Sequence, residues 1–478
     1  MMFCKEGIAM EKRTYADAEK ERIFIDKIQR QNPFEWEYYL KLVSHEKMSR
    51  DELAAYNFKR RVETVRYAYE NTIFYRNLYD SVGLKPDDIK SEDDWDAVPE
   101  VTKEDVRNHF NEMLVPGTQS IRKVSTTSGS TGYPLTVAAD KPYFEAQSVE
   151  WRARGWMTGR PLGEPLAGFP ILGLDEAILR RTSGIGAITP KVASVLNRLS
   201  YPTHRFFFDS PSLSLETMRE FMEDVQKQDG GYHLYGYVGT VNEFANAILD
   251  GKLELRKPPF TISCGASVMT KTARKRITEA FGVVPYDLLG CNEIGRIAVE
   301  SHCDLGALTV FSDIRHVDIV DKNGGAIHDS NEGFLLVTNF DTRTMPFVKY
   351  RLGDITRFID GASPSGLPFP RIAQVSGRET DYITDVNNLN VYGPSACFDD
   401  YPNAVQRYQW VDHGPGRVTL RCVLNKRNPN AEKEVRSVYN QWTSKLAGRM
   451  EISLDIVDAI NDVPGKIRFI VHEREING

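Results

Sequence analysis

Ser125-Thr-Thr-Ser-Gly-Ser-Thr-Gly-Tyr-Pro134 puts six Ser or Thr residues and two glycines into ten positions. Glycine lets the backbone turn so that neighbouring N–H groups converge on one point. The hydroxyls add further donors. Such a loop can wrap the β- and γ-phosphates of a nucleotide, and it can equally be a flexible Ser/Gly connection. It is not a Walker P-loop, because no Gly-Lys-Ser or Gly-Lys-Thr closes it. Taken alone, the loop leaves both readings open.

The chain around the loop divides into regions of different pattern. Residues 1 to about 120 read as a helical lead-in. Asp51–Ala68 is charge-rich with apolar residues at helical spacing. A turn is expected at Gly83–Pro86, and Thr102 is a candidate N-cap for a helix starting after Val101. From about 121 short apolar runs (Leu166–Leu172, Pro259–Ile262, Val283–Leu289) alternate with amphipathic stretches such as Leu215–Gln228. That alternation predicts sheets covered by helices. Residues 300–376 read as strands, with Asp321–Gly325 as a turn. The last hundred residues read as strand, helix (Asn430–Ala447), strand, strand. The fold class expected is α/β, with a large N-terminal domain (1–377) of mixed sheets flanked by helices and a small α+β C-terminal domain (378–478).

Four further motifs carry possible chemistry, and each has a plain structural alternative. In Val348-Lys-Tyr-Arg-Leu-Gly-Asp354, an Asp after a glycine can hold the two hydroxyls of a ribose, or it is a solvated strand edge. Arg378 in Gly377-Arg-Glu-Thr-Asp381 offers a planar fork to phosphate or ribose, or caps a surface hairpin. Glu293 in Gly290-Cys-Asn-Glu293 can hold Mg²⁺, or favours a helix start. Lys466 in Pro464-Gly-Lys466 can neutralise charge growing on a phosphate, or is a surface lysine.

The order of these motifs resembles the adenylate-forming superfamily of acyl-CoA ligases and adenylation domains. The nearer resemblance is to the phenylacetate-CoA ligase group, with its capsule-biosynthesis and deazaflavin-cofactor adenylating relatives. Further stretches support it: Tyr67-Ala-Tyr-Glu-Asn-Thr-Ile-Phe-Tyr-Arg76, Asp87-Asp-Ile89, Val98-Pro-Glu-Val-Thr-Lys103, Cys264-Gly-Ala-Ser267, and Tyr401-Pro-Asn-Ala-Val-Gln-Arg-Tyr-Gln-Trp410. It covers roughly residues 50 to 475.

The resemblance implies an enzyme that uses ATP and Mg²⁺ to turn a carboxylic acid into an acyl adenylate. The acyl group then passes to a thiol, most often that of coenzyme A. It assigns Thr127, Ser128, Gly129, Ser130, Thr131 and Gly132 to the phosphates. Gly265, Ala266, Ser267, Asn292 and Asp354 fall to the rest of the nucleotide. Glu293 becomes the metal ligand, and Lys466 and Arg378 the catalytic cations. Tyr235, Tyr237 and Gly290 fall where the family lines its acyl pocket, and the aromatic wall suits an aryl acid; plain core packing explains it equally. The chain departs from the family in four places. Tyr133 stands where Lys is usual, Asn292 where Thr or Ser is usual, and Thr380 where the hinge Asp is usual. Leu289 replaces the aromatic that stacks on adenine, leaving Tyr286 as a substitute. Two other functions stay in play: a stand-alone adenylating enzyme serving a carrier protein, amine or hydroxyl acceptor, and a homologue that binds without turnover. The family also suggests a homodimer.

Bulk properties agree with this class. Among 478 residues, 41% are hydrophobic and 26% charged, with a formal net charge of -6. That balance argues against a general nucleic-acid binder, which needs a basic face. Cys4, Cys264, Cys291, Cys303, Cys397 and Cys422 include no Cys-x-x-Cys pair, so neither a disulfide framework nor a defined zinc motif is expected. His302, Cys303, Cys264 and Cys291 remain a weak metal candidate. There is no signal-peptide pattern and no apolar run of membrane-spanning length, which predicts a cytoplasmic protein.

Overall fold

The computed structural model describes residues 25–26, 29–30, 32–117, 121–126, 135–159, 171–174, 207–209, 214–227, 232–379, 381–392, 394, 397–460 and 468–473. They form two compact units. One is built from residues before 168 together with 286–374. The other is built largely from 187–285 together with residues from 375 onward.

The helical lead-in forms where its local signals stand. The helix Arg50–Asn71 opens on Ser49, whose hydroxyl accepts the Glu52 N–H while the Glu52 carboxylate accepts the Ser49 N–H. This capping box satisfies two of the donors that a helix start leaves orphaned. Thr102 and Asp105 repeat the device at the helix Lys103–Asn108. Gly83, at φ 72°, makes the turn expected before Pro86. Only Gly takes up this left-handed conformation at no steric cost.

In the first unit the strands Arg315–Val320, Gly333–Asn339 and Phe347–Thr356 run as an antiparallel meander. A second set, Phe358–Ile359, Arg371–Ala373, Asp304–Val310, Gly295–Ser301 and Pro285–Cys291, pairs in that spatial order. The meander and the strands from Asp304 onward follow the apolar runs of 300–376, and Pro285–Cys291 follows the run Val283–Leu289. The strands Ile121–Thr126 and Thr136–Asp140 pair antiparallel, with Thr126 opposite Thr136, so the Ser/Thr/Gly loop joins two paired strands. Residues 127–134 of that loop lie outside the described residues.

In the second unit, Phe207–Asp209, Ile171–Leu174, His233–Tyr237 and Thr261–Gly265 lie parallel. The helices Val238–Leu249 and Lys271–Phe281 follow the last two strands, as βαβ connection of parallel strands requires. The C-terminal residues add a four-stranded sheet (Glu451–Ile456, Arg417–Leu424, Val405–Asp412, Ile470–His472) with the helix Ala431–Lys445. Its core includes Trp410, Leu420, Val435 and Val438, all fully buried. Arg276 fastens this region to the helix it belongs to: Nη1 donates to the Gln406 carbonyl at 2.8 Å and Nη2 to that of Val405. Burial pushes its pKa down to about 10.

The mixed α/β architecture expected from the sequence is thus present. Two strands start later than their apolar runs, at Thr261 rather than Pro259 and at Pro285 rather than Val283. Proline has no N–H to give to a ladder, so strands begin at or after it. Among the described residues no helix is long and apolar enough to cross a membrane.

The first unit is tied together by buried charges. Asp313 Oδ2 lies 2.5 Å from Arg154 Nη2 and 3.1 Å from His45 Nδ1. Arg315 Nη2 lies 3.2 Å from Glu150 Oε2. Arg154 also sits over the rings of Phe311 and Phe369, at 4.6 and 4.8 Å. Burial alone would raise the Asp313 pKa, but the Arg154 charge and the hydrogen bonds from His45 and Arg154 outweigh it and hold the carboxyl well below the usual range. Asp318 is held down to about 2 against its own burial, by His316, Lys349 and the Trp95 Nε1 donor.

Removing one partner of a buried pair strands the other charge. Asp313→Ala is therefore expected to destabilise the protein by on the order of 3–5 kcal/mol, read as a lower urea midpoint. A depressed carboxylate stabilises the fold above its unfolded pKa of about 3.9, and loses that contribution as the pH falls through the folded value. The urea midpoint should therefore drop between about pH 4 and 2, and less steeply in Asp318→Asn than in the native chain.

Candidate functional site

The predicted residues that the structure describes fall in both units. In the first unit, Glu293 stands on the turn Asn292–Ile294 between two antiparallel strands, with Cys291 opposite Gly295. Gly290 is required there: a Cβ at that position would lie 2.6 Å from the Gly295 carbonyl oxygen. Three side chains pin the turn. The Ile294 carbonyl accepts from Arg315 Nη2 at 3.0 Å and from Asn339 Nδ2 at 3.2 Å. Glu293 Oε1 accepts from the Tyr350 hydroxyl at 3.0 Å. Glu293 is 7% exposed, and Asn292 beside it is exposed.

Tyr350 and Asp354 lie on one strand, Phe347–Thr356. Lys349 takes a left-handed φ of 45° in it, and Gly353, at φ 85°, precedes Asp354. The Lys349 conformation is strained for a residue with a Cβ. Its ammonium compensates by donating to the Trp95 and Asp96 carbonyls at 2.9 and 3.1 Å. On the other side Val101 brackets Tyr350, with Val101 N–H to the Lys349 carbonyl and Arg351 N–H to the Val101 carbonyl. Asp354 is buried. Burial first, and then the Glu293 charge beside it, raise the Tyr350 pKa far above 10, so this phenol stays a donor. The same two causes raise the Cys291 thiol.

In the second unit, Tyr235 and Tyr237 are half-buried on one face of the strand His233–Tyr237. In the parallel ladder Tyr235 pairs with Ser263 and Tyr237 with Gly265. Gly265-Ala266-Ser267 thus leaves the carboxyl end of the neighbouring strand. Ala266 holds a left-handed φ of 64°. Ligands of parallel sheets bind outside such strand ends, and strained residues collect at ligand clamps. Arg378 is half-buried in the short strand Gly377–Arg378, whose Arg378 carbonyl accepts the Asp381 N–H at 2.8 Å.

Several expected residues fall outside the described residues: Thr127 to Gly132, Tyr133, Thr380 and Lys466. Leu289 is buried, and Tyr286 lies three residues away in the same strand. Residues an odd number apart in a strand face opposite ways, so Tyr286 does not replace Leu289 on its own face. Among the described residues no group of three or more His, Cys, Asp or Glu could hold a metal ion. His302 is instead set edge-on to Trp156, with Nδ1 3.1 Å from the Met157 carbonyl. Sequence reasoning missed Tyr350, Arg315 and Asn339. Tyr350 lies inside the Val348–Asp354 motif, but only three-dimensional pairing shows what it touches.

No family model matches the chain. Phenylacetate-coenzyme A ligase of Escherichia coli K12 is 26% identical over 431 residues, spanning 87% of this chain and 93% of that enzyme. The enzyme of the same name from Thermus thermophilus is 25% identical over 77% of this chain and 79% of its own. Protein CapK of Staphylococcus aureus is 21% identical over 86% of this chain and 87% of its own. Among solved structures, 2-hydroxyisobutyryl-CoA ligase in complex with 2-HIB-AMP matches with a TM-score of 0.72 at 19% identity, over 90% of this chain and 92% of that one, which is a likeness of fold. Over most of its length the chain is thus similar in sequence to phenylacetate-coenzyme A ligases, and its fold is like that of a CoA ligase.

Proposed function

We propose that the chain activates a carboxylic acid with ATP as an acyl adenylate and passes the acyl group to the thiol of coenzyme A. The observation that carries this reading is the pairing of Glu293 with Tyr350 on the strand that also carries Asp354. One rigid framework so presents a carboxylate for a metal and a carboxylate for a ribose. The names of the curated relatives support the same chemistry.

A carboxylate oxygen attacks the α-phosphorus and pyrophosphate leaves. The thiol sulfur then attacks the acyl carbon and AMP leaves. The protein's part is positioning and charge neutralisation. Thr127 to Gly132 cradle the β- and γ-phosphates with backbone N–H groups and hydroxyls, since Tyr133 brings no cation. Asp354 accepts from the ribose hydroxyls. Gly265, Ala266 and Ser267 serve the adenine side, and Asn292 contributes to nucleotide binding. Arg378 and Lys466 offset charge on the phosphates. Tyr235 and Tyr237 offer a wall to the acid, and their rings favour an aryl group. Mg²⁺ is held by one or two carboxylates plus phosphate oxygens and water. Glu293 alone therefore fits it as the single protein ligand, where the ion would shield the phosphate charge.

Residues 378–478 act in this reading as the small mobile domain. Its movement would have to break the bonds from Arg276 to Val405 and Gln406.

Pyrophosphate exchange across a panel of carboxylic acids tests the proposal. Exchange with an aryl acid, and a thioester on adding coenzyme A, is the expected result. No exchange with any acid would leave a binding protein without turnover, and exchange without thioester would point to another acceptor. Lys466→Ala should lower exchange by about 100-fold or more, the scale of losing one charge-stabilising group, while ATP affinity measured by calorimetry stays close to native. Native exchange rates in that variant would remove Lys466 from its role.

A further inference from the structure

We propose that Tyr350 is a positioning residue, whose hydroxyl fixes the Glu293 carboxylate in the orientation that meets the nucleotide-bound metal. The inference rests on the reading of Glu293 as metal ligand given above. Its own support is geometric. Tyr350 is fully buried, and its hydroxyl is 3.0 Å from Glu293 Oε1. The backbone on either side is held in place: Val101 brackets the residue with two hydrogen bonds, and the strained Lys349 before it is anchored by its ammonium.

The turn is held independently of the phenol. Arg315 and Asn339 fix the Ile294 carbonyl, so the backbone of the turn does not need Tyr350. What the backbone pins leave undetermined is the side chain, which besides the phenol meets the Cys291 thiol, a weaker donor. Glu has three rotatable bonds, and a buried carboxylate oxygen without a donor carries a desolvation cost. The Tyr350 hydroxyl removes that cost in one rotamer only. A phenylalanine would keep the ring in its packing and delete the donor, and the carboxylate would turn toward other donors or solvent.

The test uses Mn²⁺ as a paramagnetic probe, followed by water-proton relaxation as it is titrated into the full-length protein with ATP. Tyr350→Phe should weaken ATP-dependent Mn²⁺ binding roughly tenfold or more, the usual effect of losing a partner of a metal ligand, while ATP affinity without metal stays close to native. In pyrophosphate exchange the Mg²⁺ concentration for half-maximal rate should rise, with the maximal rate recovering at high Mg²⁺. A purely structural phenol would not move metal affinity alone. Tyr439→Phe, which deletes a hydroxyl donating to the Ile452 carbonyl, is the control and should bind Mn²⁺ as the native chain does. In a Glu293→Asp background, whose shorter side chain already withdraws from the phenol, Tyr350→Phe should add little further loss. If the native protein shows no ATP-dependent Mn²⁺ binding, the metal-ligand reading of Glu293 falls and this inference with it. If it binds and Tyr350→Phe binds equally tightly, or the two losses add in full, the positioning role alone is overturned.

Discussion

The buried pair of Arg315 with Glu150 is the constraint on which the first unit depends. Two charges removed from water cost several kcal/mol each unless their geometry is satisfied. Here the guanidinium is used twice. It meets Glu150 on the helix Lys141–Ala153 and the Ile294 carbonyl on the turn that carries Glu293. The position of the turn is thereby referenced to a helix rather than to the surface. The neighbouring pair of Arg154 and Asp313 does the same for the lead-in, because His45 on the helix Pro33–His45 shares the Asp313 carboxylate. Burial is what makes these links specific: in the interior a misplaced partner leaves a bare charge.

A second layer of constraint lies in the backbone. Lys349 and Ala266 adopt left-handed conformations that residues with a Cβ rarely take. One precedes Tyr350 and the other follows Gly265, so each unit stores strain beside its own group of candidate residues. In the first unit the compensation is visible, in the two carbonyls that receive the Lys349 ammonium.

What the sequence reveals and what it hides follow from range. The cap at Thr102 is legible because donor and acceptor lie three residues apart. Tyr235 and Tyr237 are legible as one face because strand alternation is local. The Glu293 turn is legible through the glycine at 290 and the ordered motifs. Arg315 and Asp313 are not, because a charged residue in a strand-rich stretch reads as solvated until its partner, more than 150 positions earlier, is brought beside it. Tyr350 is hidden for the same reason, although its motif is read. Lys349 gives no signal at all, since nothing in a lysine announces a left-handed backbone.

The interleaving of the two units has a consequence for how the chain is made. On the ribosome the helices before residue 168 emerge first, yet their unit closes only with 286–374, and the other unit closes only with residues after 375. Contacts this distant in sequence must overcome loop-closure entropy before they return any stabilisation. Neither unit can therefore finish during early synthesis. The amphipathic lead-in must wait with its apolar face uncovered for more than a hundred residues of translation, at a synthesis rate of about 5–20 residues per second. For several seconds the nascent chain exposes apolar surface of the kind that drives aggregation, and truncated products ending before 374 keep it exposed.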